Sequence, residues 1–153
     1  MQPRLDYKAA SPEAYKAISH VEAFVRRSGL EAPLLELIKI RASQLNGCAF
    51  CIDMHTKDAR AHGETEQRIY ALDAWHETPF FTDKERAALA WTEALTNIQQ
   101  GHAPEAVYQE ARKHFGDAEI VNLTLAITTI NAWNRIAIGF RSVPGEYQPV
   151  MAR

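Results

Sequence analysis

Two cysteines occur in the chain, Cys48 and Cys51, with His55 four positions after the second. Thiols at i and i+3 of a helix are neighbours and close a disulfide with little backbone movement. A histidine one turn further on is placed to take a thiol proton, the arrangement that activates a sulfur nucleophile. The same side chains also ligate zinc, and cysteines serve equally well as small buried hydrophobes. The stretch "NGCAFCIDMH" at 46–55 is therefore open to three readings: reactive dithiol, metal clip or buried core.

At about 100° per residue, and with Cys48 at zero, Cys51 falls near ~300° and His55 near ~340°. The three share one stripe, and Phe50 and Asp53 point elsewhere. Gly47 ends one helix and Cys48 begins the next, where free N–H groups and the helix dipole favour a thiolate. His55 is placed to accept the proton of Cys51 and so raise its thiolate fraction. Structural zinc asks for a fourth ligand, and no further cysteine exists to supply the usual second cluster. Glu36 or a distant histidine would have to complete the site. A thioredoxin-type motif would follow a strand, whereas here a helix precedes it.

The elements that carry these residues read as helices throughout. Ser11-Pro12 starts a helix bearing Tyr15, Ile18, Val21, Phe24 and Val25, and Gly29 ends that run. Pro33 opens a second with a broad apolar face of Leu34, Leu35, Leu37, Ile38 and Leu45, stopped by Asn46-Gly47. By the same pattern Glu36 lies opposite Leu34 among polar positions such as Ser43, the place of an exposed glutamate. The third helix runs from about Cys48 to Gly63. Thr65 caps a short fourth carrying Ile69 and Leu72 and reaching toward Trp75. Thr82 to Glu85 forms a capping box ahead of an alanine-rich helix. Pro104 starts another, ended by Gly116, and Asp117 caps a long apolar helix to about Phe140. The β-branched run "ITTI" at 127–130 keeps helical spacing, and the tail, about 142–153, reads as loose. The prediction is a single all-α domain over 1–153.

The bulk numbers agree with a globular protein: 153 residues, 46% hydrophobic, 24% charged and a formal net charge of −2. That balance excludes a nucleic-acid binder held by a broad basic field. Residues 118–140 carry Asn122, Asn131, Asn134 and Arg135, too polar a load for a bilayer span. With no secretion signal visible, the expected compartment is the cytoplasm, where a close cysteine pair is usually catalytic or metal-binding. His62 is expected to cap the end of its helix, and Trp91 and Trp133 to sit in the core. Asn131 and Asn134 should be hydrogen-bonded if buried. His20, His76, His102 and His114 have no spacing that recruits them.

"ELIKIRASQLNGCAFCIDMHTKDARAHGETEQRI" followed by "PFFTDKERAALAWTEALT" resembles the core of the alkylhydroperoxidase D-like proteins of the carboxymuconolactone decarboxylase superfamily. The resemblance is strong over 34–98 and continues weakly into "INAWNRIAI" at 130–138. Its signature is a glutamate twelve residues before Cys-x-x-Cys-x-x-x-His, here Glu36, Cys48, Cys51 and His55. Some members carry a histidine directly before the second cysteine, where this chain has Phe50. The superfamily's decarboxylases generally lack the cysteine pair.

The resemblance implies an all-helical fold assembled as a homo-oligomer, commonly a trimer or hexamer. It also implies a thiol-dependent peroxidase or disulfide oxidoreductase that needs no cofactor or metal. Carried over position by position, Cys51 corresponds to the peroxide-attacking cysteine and Cys48 to the resolving one. His55 and the more distant Glu36 correspond to the proton relay. The implied partners are a hydroperoxide and an external dithiol or protein reductant, with no nucleic acid or membrane. The alternatives are a two-cysteine, one-histidine metal module and a decarboxylase-type lyase on the same fold.

Overall fold

The computed structural model describes residues 1–149. These form eight α-helices, α1 (Tyr7–Ala10), α2 (Pro12–Arg26), α3 (Ala32–Asn46), α4 (Ala49–Ala61), α5 (Glu66–Ala71), α6 (Asp83–Thr96), α7 (Glu105–Arg112) and α8 (Asp117–Phe140). Two 3-10 turns, Leu72–Glu77 and Ile98–Gln100, follow α5 and α6, and no strand occurs among the described residues. The all-α expectation holds, and "ITTI" lies within α8. None of these helices is long and apolar enough to cross a membrane.

The helix ends follow local chemistry. Thr82 Oγ1 accepts from the Glu85 amide at 3.2 Å, and Glu85 accepts from the Thr82 amide at 2.8 Å, closing the expected box. Thr65 accepts from the Arg68 amide, as its cap position requires. Two expectations change. The short fourth helix ends at Ala71, and its continuation to Trp75 winds as a 3-10 turn kinked at Ala74. At α8 the capping residue is Gly116 rather than Asp117, with the Gly116 amide donating to Glu119 at 2.9 Å.

α3 is the helix that the others enclose, packing against α4, α6 and α8. Every residue from Leu34 to Ser43 is buried, so the broad apolar face is in fact a complete circumference. Glu36 is only 6% exposed, which overturns the expectation of a solvated glutamate. The polar side chains on this helix survive burial because each has a partner. Lys39 Nζ meets Glu22 at 2.6 Å, Arg41 Nε meets Glu93 at 2.8 Å, and Ser43 Oγ donates to the Lys39 carbonyl at 2.7 Å.

The segment after α8 is irregular, yet its described part is fastened to α4. Lys57 Nζ donates to the carbonyls of Gly145 and Tyr147, the Gly145 amide donates to Asp53, and the Tyr147 hydroxyl donates to Asp58 at 2.7 Å. The expectation of a loose tail is therefore corrected for 142–149, where charged α4 side chains hold its backbone. Positions 150–153 lie outside the described residues.

Candidate active site

The site begins at the α3–α4 junction. Gly47 adopts the left-handed conformation (φ 67°), which glycine enters without a Cβ clash, and it turns the chain out of α3. Cys48 is then the capping residue of α4, and Cys51 sits in its first turn. Both are free thiols, each 1% exposed, with sulfurs 2.7 Å apart. They pack with Ala42 of α3 and with Ile130 and Ala137 of α8, and Phe50 and Trp133 lie against this cluster. Phe50 thus adjoins the cysteines instead of pointing away. Trp133 is half-buried at their edge rather than in the core, whereas Trp91 is buried as expected.

A neutral polar network adjoins the sulfurs. Asn134, fully buried, donates to Ser43 Oγ at 3.0 Å and accepts from Asn46 at 2.9 Å. Asn46 also reaches Asn131 at 2.9 Å, and Asn131 donates to Thr96 at 3.0 Å. A hydrogen bond from Cys51 draws the Cys48 thiol down to about 7, against the pull of burial, with the backbone amides of Cys51 and Phe50 and the Asn134 side chain adding to that direction. Donation to Cys48, and then burial, holds Cys51 far above the ordinary thiol range, though Asn134 and Ser43 oppose this. The two sulfurs titrate as a pair in which the first negative charge favours Cys48.

His55 faces the other way. Its Nδ1 lies 2.8 Å from Glu36 Oε2, both groups are buried, and among the described residues it makes no hydrogen bond to either sulfur. The single stripe of cysteines and histidine thus divides: the sulfurs turn to α8 and the imidazole to α3. Burial alone would raise the Glu36 carboxyl. The hydrogen bond and charge of His55, with the charges of Lys39 and Arg26, instead bring it below its ordinary value. Asp58 completes this end, with one donor atom each of Glu36, His55 and Asp58 lying within 4.8 Å of one another. These three have the donor chemistry of a cation site, but Glu36 already binds His55 and Asp58 already binds Tyr147. The cysteines do not join this cluster, so the two-cysteine, one-histidine clip does not assemble.

Each end borders its own cavity. One of about 190 Å³ is lined by Cys48, Phe50, Ala137, Ile138 and Arg141, among others. Another of about 390 Å³ is lined by Glu36, His62, Arg68 and Glu85, among others. His62 caps α4 as expected, with Nδ1 2.7 Å from the Asp58 carbonyl. Sequence reading flagged Asn134 only for its polarity on an apolar helix. Ser43, Asp58 and Tyr147 carried no spacing signal, because α8, α3, α4 and the terminal segment meet only in the fold.

Residues 12–94 match the carboxymuconolactone decarboxylase family. The chain is 47% identical over 138 residues to the uncharacterized protein YdfG of Bacillus subtilis (strain 168), covering 90% of this chain and 94% of that one. The crystal structure of ATU0492 from Agrobacterium tumefaciens, a protein of unknown function with a suggested antioxidant-defence role as AhpD, superposes with a TM-score of 0.90 at 49% identity. That match covers 97% of this chain and 99% of the other. An alkylhydroperoxidase AhpD core, an uncharacterized peroxidase-related protein of Ralstonia eutropha JMP134, shares the fold at 18% identity, with a TM-score of 0.80 over 91% of this chain and 74% of that one.

Proposed function

The chain belongs to the carboxymuconolactone decarboxylase family as an alkylhydroperoxidase D-like member, and on that footing we propose that it is a thiol-dependent oxidoreductase that reduces hydroperoxides through the Cys48/Cys51 dithiol. The observation that carries this reading is the buried pair of touching thiols at the start of α4, one helical turn from a buried His55–Glu36 hydrogen bond. Together they are the parts of a sulfur redox cycle.

In the resting pair the charge favours Cys48 and the shared proton stays with Cys51. With Nδ1–H donating to Glu36, His55 keeps Nε2 as its basic nitrogen, and the carboxylate stabilises the imidazolium that forms. The proton of Cys51 passes to His55 by way of water rather than through a direct contact. Thiolate Cys51 attacks the terminal peroxide oxygen, the O–O bond breaks, and Cys51 becomes a sulfenic acid. The departing alkoxide takes the proton held on His55. Cys48 thiolate then attacks the Cys51 sulfur, the S–O bond breaks, the departing hydroxide takes a proton from solvent to become water, and the disulfide closes. An external dithiol reopens it by exchange. Glu36 borders the larger cavity and gives the relay its outlet to solvent.

This cycle belongs in a reducing compartment such as the cytoplasm. Likeness to AhpD-type proteins supports a single domain assembled as a homo-oligomer, a trimer or hexamer, which light scattering tests. For the chemistry, one equivalent of hydroperoxide should remove both titratable thiols. Cys51→Ser should end turnover, and Cys48→Ser should leave a sulfenic acid trapped by dimedone. A Cys51→Ser protein that consumes peroxide at the wild-type rate would sink the assignment. Turnover of a lactone acid that survives loss of both cysteines would point to a lyase instead.

A further inference from the structure

The cavity beside Cys48 has walls unlike the rest of the site. Ala49, Phe50, Ala137 and Ile138 make it apolar, Arg141 supplies one cation, and no acidic residue lines it. At about 190 Å³ it is smaller than the pockets that hold drug-sized ligands, so its occupant has few heavy atoms. Of the two cysteines, Cys48 is the one that lines it.

We propose that this cavity receives the external reductant, and that Arg141 selects a small thiol bearing a carboxylate. The proposal rests on the dithiol reading above and names the class of its electron donor. Arg141 occupies the left-handed position that ends α8 (φ 56°), where glycine is the ordinary choice. Its backbone amide bonds to the Ile138 carbonyl, and the guanidinium has no ion pair among the described residues. Arg26, Arg41, Arg68 and Arg112 pair with carboxylates, and among the arginines without such a partner Arg141 is the one that lines the cavity beside Cys48. An unpaired guanidinium beside apolar walls recognises a carboxylate by paired charge-assisted hydrogen bonds.

The chemistry follows from the lining. The incoming thiolate attacks the Cys48 sulfur of the disulfide, a mixed disulfide forms there, and the Cys48–Cys51 bond breaks. Cys51 leaves as a thiolate and takes a proton returned through His55. A second reductant thiolate attacks the reductant's own sulfur in the mixed disulfide. That step releases Cys48 as a thiolate and the reductant as its disulfide, two electrons having entered the protein.

The test uses full-length protein oxidised with diamide, so that no peroxide step is involved. Its reduction is timed with 3-mercaptopropionate, 2-mercaptoethanol and cysteamine, which are anionic, neutral and cationic. Each rate is divided by that of the same thiolate on a neutral small disulfide. Wild type should favour the anionic over the cationic thiol by about tenfold, less at high salt. Arg141→Gln should bring that ratio close to one, Arg141→Glu should invert it, and Arg141→Lys should keep most of it. The same ratio in wild type and Arg141→Gln would overturn the proposal. So would faster mixed-disulfide formation at Cys51 in Cys48→Ser than at Cys48 in Cys51→Ser. Failure of the peroxide reading would show instead as absent peroxide turnover, with this charge ratio intact.

Discussion

The dithiol end and the carboxylate end of the site share α4 but are held by opposite means. Around Cys48 and Cys51 the partners are neutral: the amide of Asn134, the hydroxyl of Ser43 and the side chains of Ala42, Ile130 and Ala137. Around His55 the partners are charged: Glu36 and Asp58 beside it, with Lys39 and Arg26 acting on Glu36 from further off. Neutral donors stabilise a sulfur anion when it appears without fixing a charge in advance, so the first proton of the pair stays near neutrality. A buried carboxylate beside the imidazole instead holds Nδ1 and fixes the ring's orientation. One end is neutral and free to change charge, and the other orients the acid–base group through a charged partner.

The largest expected effect is at the neutral end. Cys51→Ala removes the attacking sulfur and also the hydrogen bond that is the main cause of the low Cys48 value. Turnover should fall to background, and iodoacetamide labelling of Cys48 should move from a midpoint of about 7 toward the ordinary thiol value of about 8.5. A midpoint that stays put would show that the helix start, and not the thiol pair, sets the charge. Next comes the charged end. His55→Ala should cost about a hundredfold in turnover, within the usual range for a lost acid–base group. The Cys48 midpoint should stay near 7, and a shift of a full unit would break the separation of the two ends.

Glu36→Gln should be milder, about tenfold, because the imidazole remains but loses its fixed partner. Its pH signature has a definite sign. The Glu36 carboxyl lies below its ordinary value in the folded protein, so its contribution is present above the unfolded carboxyl range and is lost as pH falls through the lowered folded value. Wild type should therefore be the more stable protein at neutrality, and the two melting curves should converge in acid. A constant gap across pH would remove the carboxylate from the account. Asn134→Leu tests the neutral network by removing the donor to the Ser43 oxygen and one of the acceptors that Asn46 shares. It should cost about 1–3 kcal/mol by denaturant unfolding, the range for stranding buried polar groups.

Much of this was legible before folding was considered. Gly47 and the two cysteines announce a helix start by local rules, and Thr82 with Glu85 does the same for α6. Glu36 illustrates the limit. Helical periodicity placed it on a polar side as an exposed glutamate, but α3 is buried all round and has no such side. Only the resemblance attached it to His55. Ser43 was misjudged for the same reason, since an enclosed helix has no solvent side. Trp133 meets the dithiol through the approach of α8, a contact more than eighty positions away in the chain that no local pattern encodes. The positions read best were those governed by backbone conformation, and those read worst owed their surroundings to a third helix.

The smallest expected effect concerns Tyr147 of the terminal segment, whose hydroxyl meets the charged end. The Tyr147 hydroxyl donates to Asp58, and burial followed by this bond pushes the phenol up to about 12. Since the folded value is raised, the bond contributes fully below the unfolded phenol value of about 10 and is lost as pH rises through about 12. Tyr147→Phe should therefore cost about 1 kcal/mol at neutral pH, and the difference from wild type should vanish at strongly alkaline pH. Lys57 and Asp53 still hold the backbone at Gly145 and Tyr147, so the segment should stay in place. Peroxide turnover should then change less than twofold, by about the margin expected for a change remote from the reacting sulfur. A tenfold loss with unchanged stability would instead show that Asp58 acts on His55 during turnover and that Tyr147 governs how far it does so.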